Sequence, residues 1–61
     1  MTNLSYAATR TLQNLSTKRA RKLGVAMEKA GYSRYSVSIP RELFRAGVIK
    51  NCGGDYAIRI A

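Results

Sequence analysis

Histidine and tryptophan are absent from this sequence, and cysteine, proline and acidic residues are scarce, at one, one and three residues respectively. The missing histidine removes the commonest general base and metal ligand, and a single cysteine forms neither an internal disulfide nor a cysteine-rich zinc site. No apolar run approaches the roughly 18–20 residues that a membrane span needs, and the first residues lack the features of a secretion signal. We therefore expect no enzyme, no metal or cofactor, no membrane insertion and a cytoplasmic location.

Positive charge, in contrast, is abundant. Eleven lysine and arginine residues oppose the three acids, so the net charge is +8, while 46% of the residues are hydrophobic. A chain this apolar is expected to fold rather than to remain a disordered polycation. Because so short a chain buries only about 60% of its unfolded surface, we expect residues 1–61 to form one small domain. Either its fold is economical, or a second copy in a homodimer or a ligand completes it.

The first half of the chain has the apolar spacing of two helices. Over residues 4–15 the apolar residues recur at i, i+4, i+8 and i+11, and over residues 17–30 they recur at heptad-like intervals. Ser5 or Asn3 suits the first N-cap, and Gly31 suits a left-handed C-cap after the second helix. The sequence therefore predicts two N-terminal helices.

The pattern changes after these helices. Three apolar residues alternate with polar ones over residues 34–39, which predicts a half-buried strand. Pro40 suits the first turn of a short helix, where its missing N–H is harmless. Leu43 and Phe44 give that helix an apolar side, and Gly47 suits its end.

The C-terminal residues have the pattern of a β-hairpin. Two β-rich runs, 48–52 and 56–60, flank the turn sequence Gly53-Gly54-Asp55. Alternation along the second run predicts three residues facing the core: Tyr56, Ile58 and Ile60. The predicted fold class is α+β, in the order α-α-β-α-β-β, with a winged-helix-like arrangement as the alternative.

Two groups of residues are candidates for contact with nucleic acid. The first is a cluster of cations that a helix would hold away from its apolar stripe, toward a phosphate backbone: Lys18, Arg19, Arg21 and Lys22. The second follows the predicted strand and the short helix, and it has the side chains that bind base edges and phosphates: Arg34, Ser36, Ser38, Arg41 and Arg45. The alternative for both groups is an ordinary solvated surface.

The second half of the chain also resembles two families of DNA-binding proteins. Residues 36–43, 47–50 and 54–60, with Ile39-Pro40 and Gly54-Asp55, are similar to the AbrB/MazE type. This resemblance implies a strand that ends at Ile39-Pro40, a short helix, a Gly-Asp turn and a further strand, in an interlocked dimer that binds DNA. Residues 31–38, 46–49 and 53–56 are similar to winged-helix regulators, which implies a turn, a recognition helix and a hairpin wing. A winged helix requires the recognition helix to begin near Pro40, because proline inside a helix costs about 3 kcal/mol or more.

These observations favour a small DNA-binding transcriptional regulator, such as a repressor of the kind that phages, plasmids or prokaryotic operons encode. We expect a homodimer that binds a symmetric operator in double-stranded DNA. Two alternatives remain open from the sequence. One is an RNA- or ribosome-binding protein, since charge does not separate the two polymers, and the other is a small inhibitor whose basic face binds an acidic protein.

Overall fold

A computed structural model describes residues 3–17 and 20–60. Within these residues the elements follow the order helix, strand, helix, helix, strand, strand. Their bounds are α1 Tyr6–Asn14, β1 Arg21–Lys22, α2 Leu23–Lys29, α3 Ser38–Ala46, β2 Ile49–Gly53 and β3 Tyr56–Arg59. The α+β class is therefore confirmed, with three helices and one antiparallel sheet in the described residues.

The sheet has the strand order β1-β3-β2, so the last strand of the chain lies in the middle. Arg21 of β1 pairs with Ala57 of β3, and Ile49 of β2 pairs with Arg59 on the other side. The register of the hairpin shifts between Asn51 and Gly53, which leaves Cys52 as a bulge residue. Because β3 pairs with β1, and β1 leads directly into α2, the sheet joins the hairpin to the start of α2.

The helices surround a small apolar core, in which α1 packs against both α2 and α3. Ser5 is the N-cap of α1, and its hydroxyl accepts a hydrogen bond from the Ala8 N–H at 3.2 Å. Gly31 and Gly47 follow α2 and α3 with φ values of 91° and 68°, a region that favours glycine. These three helix boundaries agree with the sequence prediction. The buried apolar residues are Ala8, Leu12, Leu15, Leu23, Ala26, Met27, Ile39, Leu43, Ile49 and Ala57.

The second predicted helix is too long. The sequence predicted a helix from residue 17 to residue 30, but Arg21 and Lys22 are extended and form β1, and α2 begins only at Leu23. The backbone of β1 pairs with β3, a partner more than thirty positions later that periodicity does not reveal. The helical face proposed for the basic cluster is therefore wrong at Arg21 and Lys22, while Lys18 and Arg19 lie outside the described residues.

The strand predicted over residues 34–39 is also wrong. Residues 34–37 form a turn and an irregular segment, and α3 begins at Ser38. Ile39 and Leu43, at i and i+4, form the buried stripe of α3, whereas Tyr35 is 90% exposed. Pro40 lies in the first turn of α3, where its missing N–H leaves no hydrogen bond unmade. Helical burial of Ile39 thus overrides the alternating pattern.

The wrong side was also predicted to be buried in the hairpin, and one of the two large apolar residues of the short helix is more exposed than predicted. Ala57 is the buried residue of β3, while Tyr56 is 45% exposed and Ile60 is 55% exposed. In α3 the fully buried residue is Leu43, and its neighbour Phe44 is 41% exposed. Ile58, the third residue predicted to face the core, is half-buried.

Candidate nucleic-acid interface

One side of α3 presents a basic surface that we call the α3 surface, defined by the exposed residues Ser38, Arg41 and Arg45. Arg41 and Arg45 are at i and i+4, which places their side chains on one side of the helix. The same residues line a shallow groove together with Val37, Glu42 and Ala46. Within the described residues, neither guanidinium takes part in a side-chain hydrogen bond or an ion pair. Both remain available to an external acceptor.

Glu42 fixes the orientation of this surface. Its carboxylate accepts hydrogen bonds from the backbone N–H and the hydroxyl of Ser5, the latter at 2.8 Å. Ser5 is the N-cap of α1, where a negative charge is favourable because of the helix dipole. The bond holds one side of α3 against the start of α1. Arg41 and Arg45 are thereby left on the outer side of α3.

The three acids of the chain are all engaged in internal contacts. Glu42 bonds to Ser5, whereas Asp55 and Glu28 both form ion pairs with Arg34, at 3.2 and 3.6 Å. Asp55 also accepts hydrogen bonds from the first N–H groups of α2, through its carboxylate to Gly24 at 3.2 Å and through its carbonyl to Leu23 at 2.7 Å. Glu42 keeps its negative charge beside the groove, and the two arginines outnumber it, so the net potential at the α3 surface is positive.

Arg34 forms an ion-pair cluster with Glu28 and Asp55 and does not belong to the α3 surface. Its guanidinium lies between Glu28 on α2 and Asp55 in the hairpin turn, and it connects the two elements. A Cβ atom on Gly24 would lie 2.7 Å from Arg34 Nε and 3.3 Å from Asp55 Oδ2. Glycine at this position of α2 allows the close approach of both side chains, which explains a residue that otherwise weakens a helix.

The remaining candidate residues that the structure describes lie outside the α3 surface. Ser36 is half-buried in the segment before α3. Arg21 and Lys22 line a second groove, of about 310 Å³, which we call the Tyr56 groove. Its lining residues are Asn14, Arg21, Lys22, Val25, Ala26, Lys29 and Tyr56. The structure therefore brings together Ser38, Arg41 and Arg45 in one place and Arg21 and Lys22 in another.

Sequence reasoning missed the apolar residues of the Tyr56 groove. Val25 and Lys29 follow Lys22 by three and seven residues, a spacing that places residues on one side of a helix. The sequence therefore contained a signal that Val25 lies beside the two lysines. Tyr56 had no such signal, because it joins the groove through its strand pairing with Lys22. In the groove beside the α3 surface, sequence reasoning also overlooked Val37, which is 67% exposed.

No protein-family profile, curated protein or solved structure matches this chain. In the described part of the chain, no helix is both long and apolar enough to cross a membrane. Function is therefore inferred from the geometry and charge of the two surfaces.

Proposed function

We propose that this protein is a sequence-specific DNA-binding protein, acting as a transcriptional regulator rather than an enzyme, and that α3 enters the major groove. The single observation that carries the proposal is the α3 surface, where two arginines without internal partners project from one side of an exposed helix. An α-helix fits the major groove of B-form DNA, and arginine forms a bidentate pair with guanine. Phosphate contacts from the other cations would add affinity without specificity.

The order of elements supports the winged-helix resemblance in this proposal. A helix pair precedes α3, and the hairpin formed by β2 and β3 follows it. A winged helix requires the recognition helix to begin near Pro40, and α3 begins at Ser38. The AbrB/MazE resemblance implied a strand where residues 34–37 form a turn and an irregular segment. We therefore assign α3 as the recognition helix and the hairpin as the wing.

We further propose that two copies bind a symmetric operator. The buried core is small, and a dimer would extend it while doubling the contacts with DNA. Sedimentation equilibrium of the protein on a selected duplex should give two protomers for each duplex. One protomer on a duplex without internal symmetry would refute the dimer but not DNA binding.

The test of DNA recognition is selection from a library of random duplexes, followed by fluorescence anisotropy on the enriched and scrambled sequences. We expect an enriched sequence whose affinity falls steeply as salt is raised, because the phosphate contacts release counterions. Equal affinity for every duplex would refute sequence-specific recognition. Preference for a structured RNA competitor would refute the choice of DNA and favour an RNA-binding function.

Arginine-to-lysine variants test the role of the α3 surface. Arg41→Lys and Arg45→Lys keep the charge but lose the bidentate geometry of the guanidinium. We expect each to weaken binding to the enriched duplex by roughly 5- to 150-fold, corresponding to about 1–3 kcal/mol, with little effect on the scrambled duplex. Arg10→Lys, at an exposed position of α1, is the matched control and should leave both affinities unchanged.

A further inference from the structure

The Tyr56 groove shares no lining residue with the groove of the α3 surface, so it is a second basic site. Lys22, Val25 and Lys29 form a stripe along α2 and the residue that precedes it. Tyr56 is the strand partner of Lys22 and closes the other side. Arg21 donates a hydrogen bond to the carbonyl of Asn14 at 3.0 Å, which holds its guanidinium at the end of α1.

The groove combines three cations with an apolar floor. Val25 and Tyr56 are 37% and 45% exposed, and both contribute to a lining that also includes Ala26. Tyrosine and arginine are among the residue types enriched at protein interfaces. A phosphate backbone would use the cations but would leave the apolar floor without a partner.

Charge also restricts what can occupy the groove. None of the described residues that line it is acidic, and the chain carries a net charge of +8. A second copy docked through the same groove would place these cations against their own counterparts, which is unfavourable. An acidic segment with one apolar side chain would satisfy both parts of the groove.

From this combination we infer that the Tyr56 groove binds an acidic peptide segment of another protein, with an apolar side chain placed against Val25 and Tyr56. Carboxylates of the peptide pair with Lys22 and Lys29, whose side chains have no internal partner among the described residues. This site adds protein binding to the proposed DNA binding and does not depend on it.

The test uses a fluorescein-labelled peptide in which one phenylalanine is flanked by runs of glutamate, titrated with the full chain. A second peptide has serine in place of the phenylalanine. We expect the phenylalanine peptide to bind more tightly, and we expect Lys22→Glu combined with Lys29→Glu to weaken it by about ten-fold or more. Val25→Ser should weaken the phenylalanine peptide while leaving the serine peptide unchanged. The matched control Arg41→Glu with Arg45→Glu changes the same charge on the α3 surface and should have a much smaller effect.

Three results would overturn this inference. Unchanged peptide binding by the Lys22 and Lys29 variant would place the peptide elsewhere, and equal binding of the two peptides would show that the apolar floor has no role. An equal loss of peptide and duplex DNA binding in that variant would assign the groove to the phosphate backbone. Circular dichroism melts establish that each variant is folded, and the Arg41 and Arg45 variants report separately on DNA binding.

Discussion

Thr11 carries a hydroxyl group that is fully buried in the middle of α1. Its Oγ1 atom has no hydrogen-bond partner in the described part of the molecule. Burial of a polar group without a partner costs free energy, since the hydroxyl loses its contact with water. The core therefore contains one position where removing a polar atom is favourable.

Thr11→Val is expected to raise the free energy of unfolding by about 1 kcal/mol, because valine has nearly the same shape and no hydroxyl. Urea denaturation, followed by circular dichroism, measures the change. The matched control is Thr11→Ala, which also removes the methyl group, leaves a cavity and should not give the same gain. A lower stability of the valine variant would show that the hydroxyl has a partner.

Leu43 and Phe44 are adjacent in α3 but differ in burial, at 0% and 41% exposed. We expect Leu43→Ala to cost about 2–5 kcal/mol, a large share of the stability of so small a domain. Phe44→Ala should cost clearly less, because its ring already contacts water. Thermal melts of the two variants measure the difference, and a larger loss for Phe44 would mean that α3 is rotated about its axis so that Phe44 faces the core.

Among the elements, α2 depends on an acceptor supplied from outside the helix. Lys22, its N-cap residue, makes no side-chain capping bond, and Asp55 in the hairpin turn accepts from both Leu23 and Gly24 instead. The hairpin is thereby attached to α2 at the same place where Arg34 joins them. The position of the proposed wing relative to the helices follows from this contact.

Asp55→Ala is expected to lower the free energy of unfolding by about 1 kcal/mol, the usual effect of losing a capping side chain. Asp55→Asn retains an oxygen acceptor for the Gly24 N–H and should lose much less, since the exposed ion pair with Arg34 contributes little. Urea denaturation compares the two. Equal losses would show that the charge, rather than the hydrogen bond, stabilises the start of α2.

At the scale of the whole molecule, the unbalanced charge is the dominant property. Eleven cations share the chain with three acids, and each acid already has an internal partner. Repulsion among the remaining cations opposes the folded state and attracts an anionic polymer. Salt therefore acts on folding and on DNA binding in opposite directions.

We expect added sodium chloride to raise the urea midpoint of unfolding, because it screens the repulsion among the cations over a Debye length of about 10 Å at 0.1 M. The same salt series should weaken binding to duplex DNA, since the entropy gained by releasing each counterion falls as the bulk salt concentration rises. Urea is the appropriate denaturant because it is uncharged. A midpoint that falls with salt would mean that the ion pairs of Arg34 outweigh the repulsion.

Several features were predictable from the sequence because they depend on local geometry. Ser5 caps α1, Gly31 and Gly47 follow the ends of their helices, and Gly54 and Asp55 form the hairpin turn within the predicted 53–55, since each feature depends on conformations available to a few neighbouring residues. Arg41 and Arg45 share a helix side in both the prediction and the structure. Their common face is a consequence of the helical repeat.

The sequence by itself determined the α+β class, the excess of cations and these local boundaries. The tertiary structure decided that residues 21 and 22 form a strand and that Ala57 rather than Tyr56 is buried. It also decided that Arg34 pairs with Glu28 and Asp55. It also decided the role of Glu42, whose partner Ser5 is 37 positions away. Strand pairing and helix caps supplied from another element join residues that are distant in the chain, so no local pattern records them.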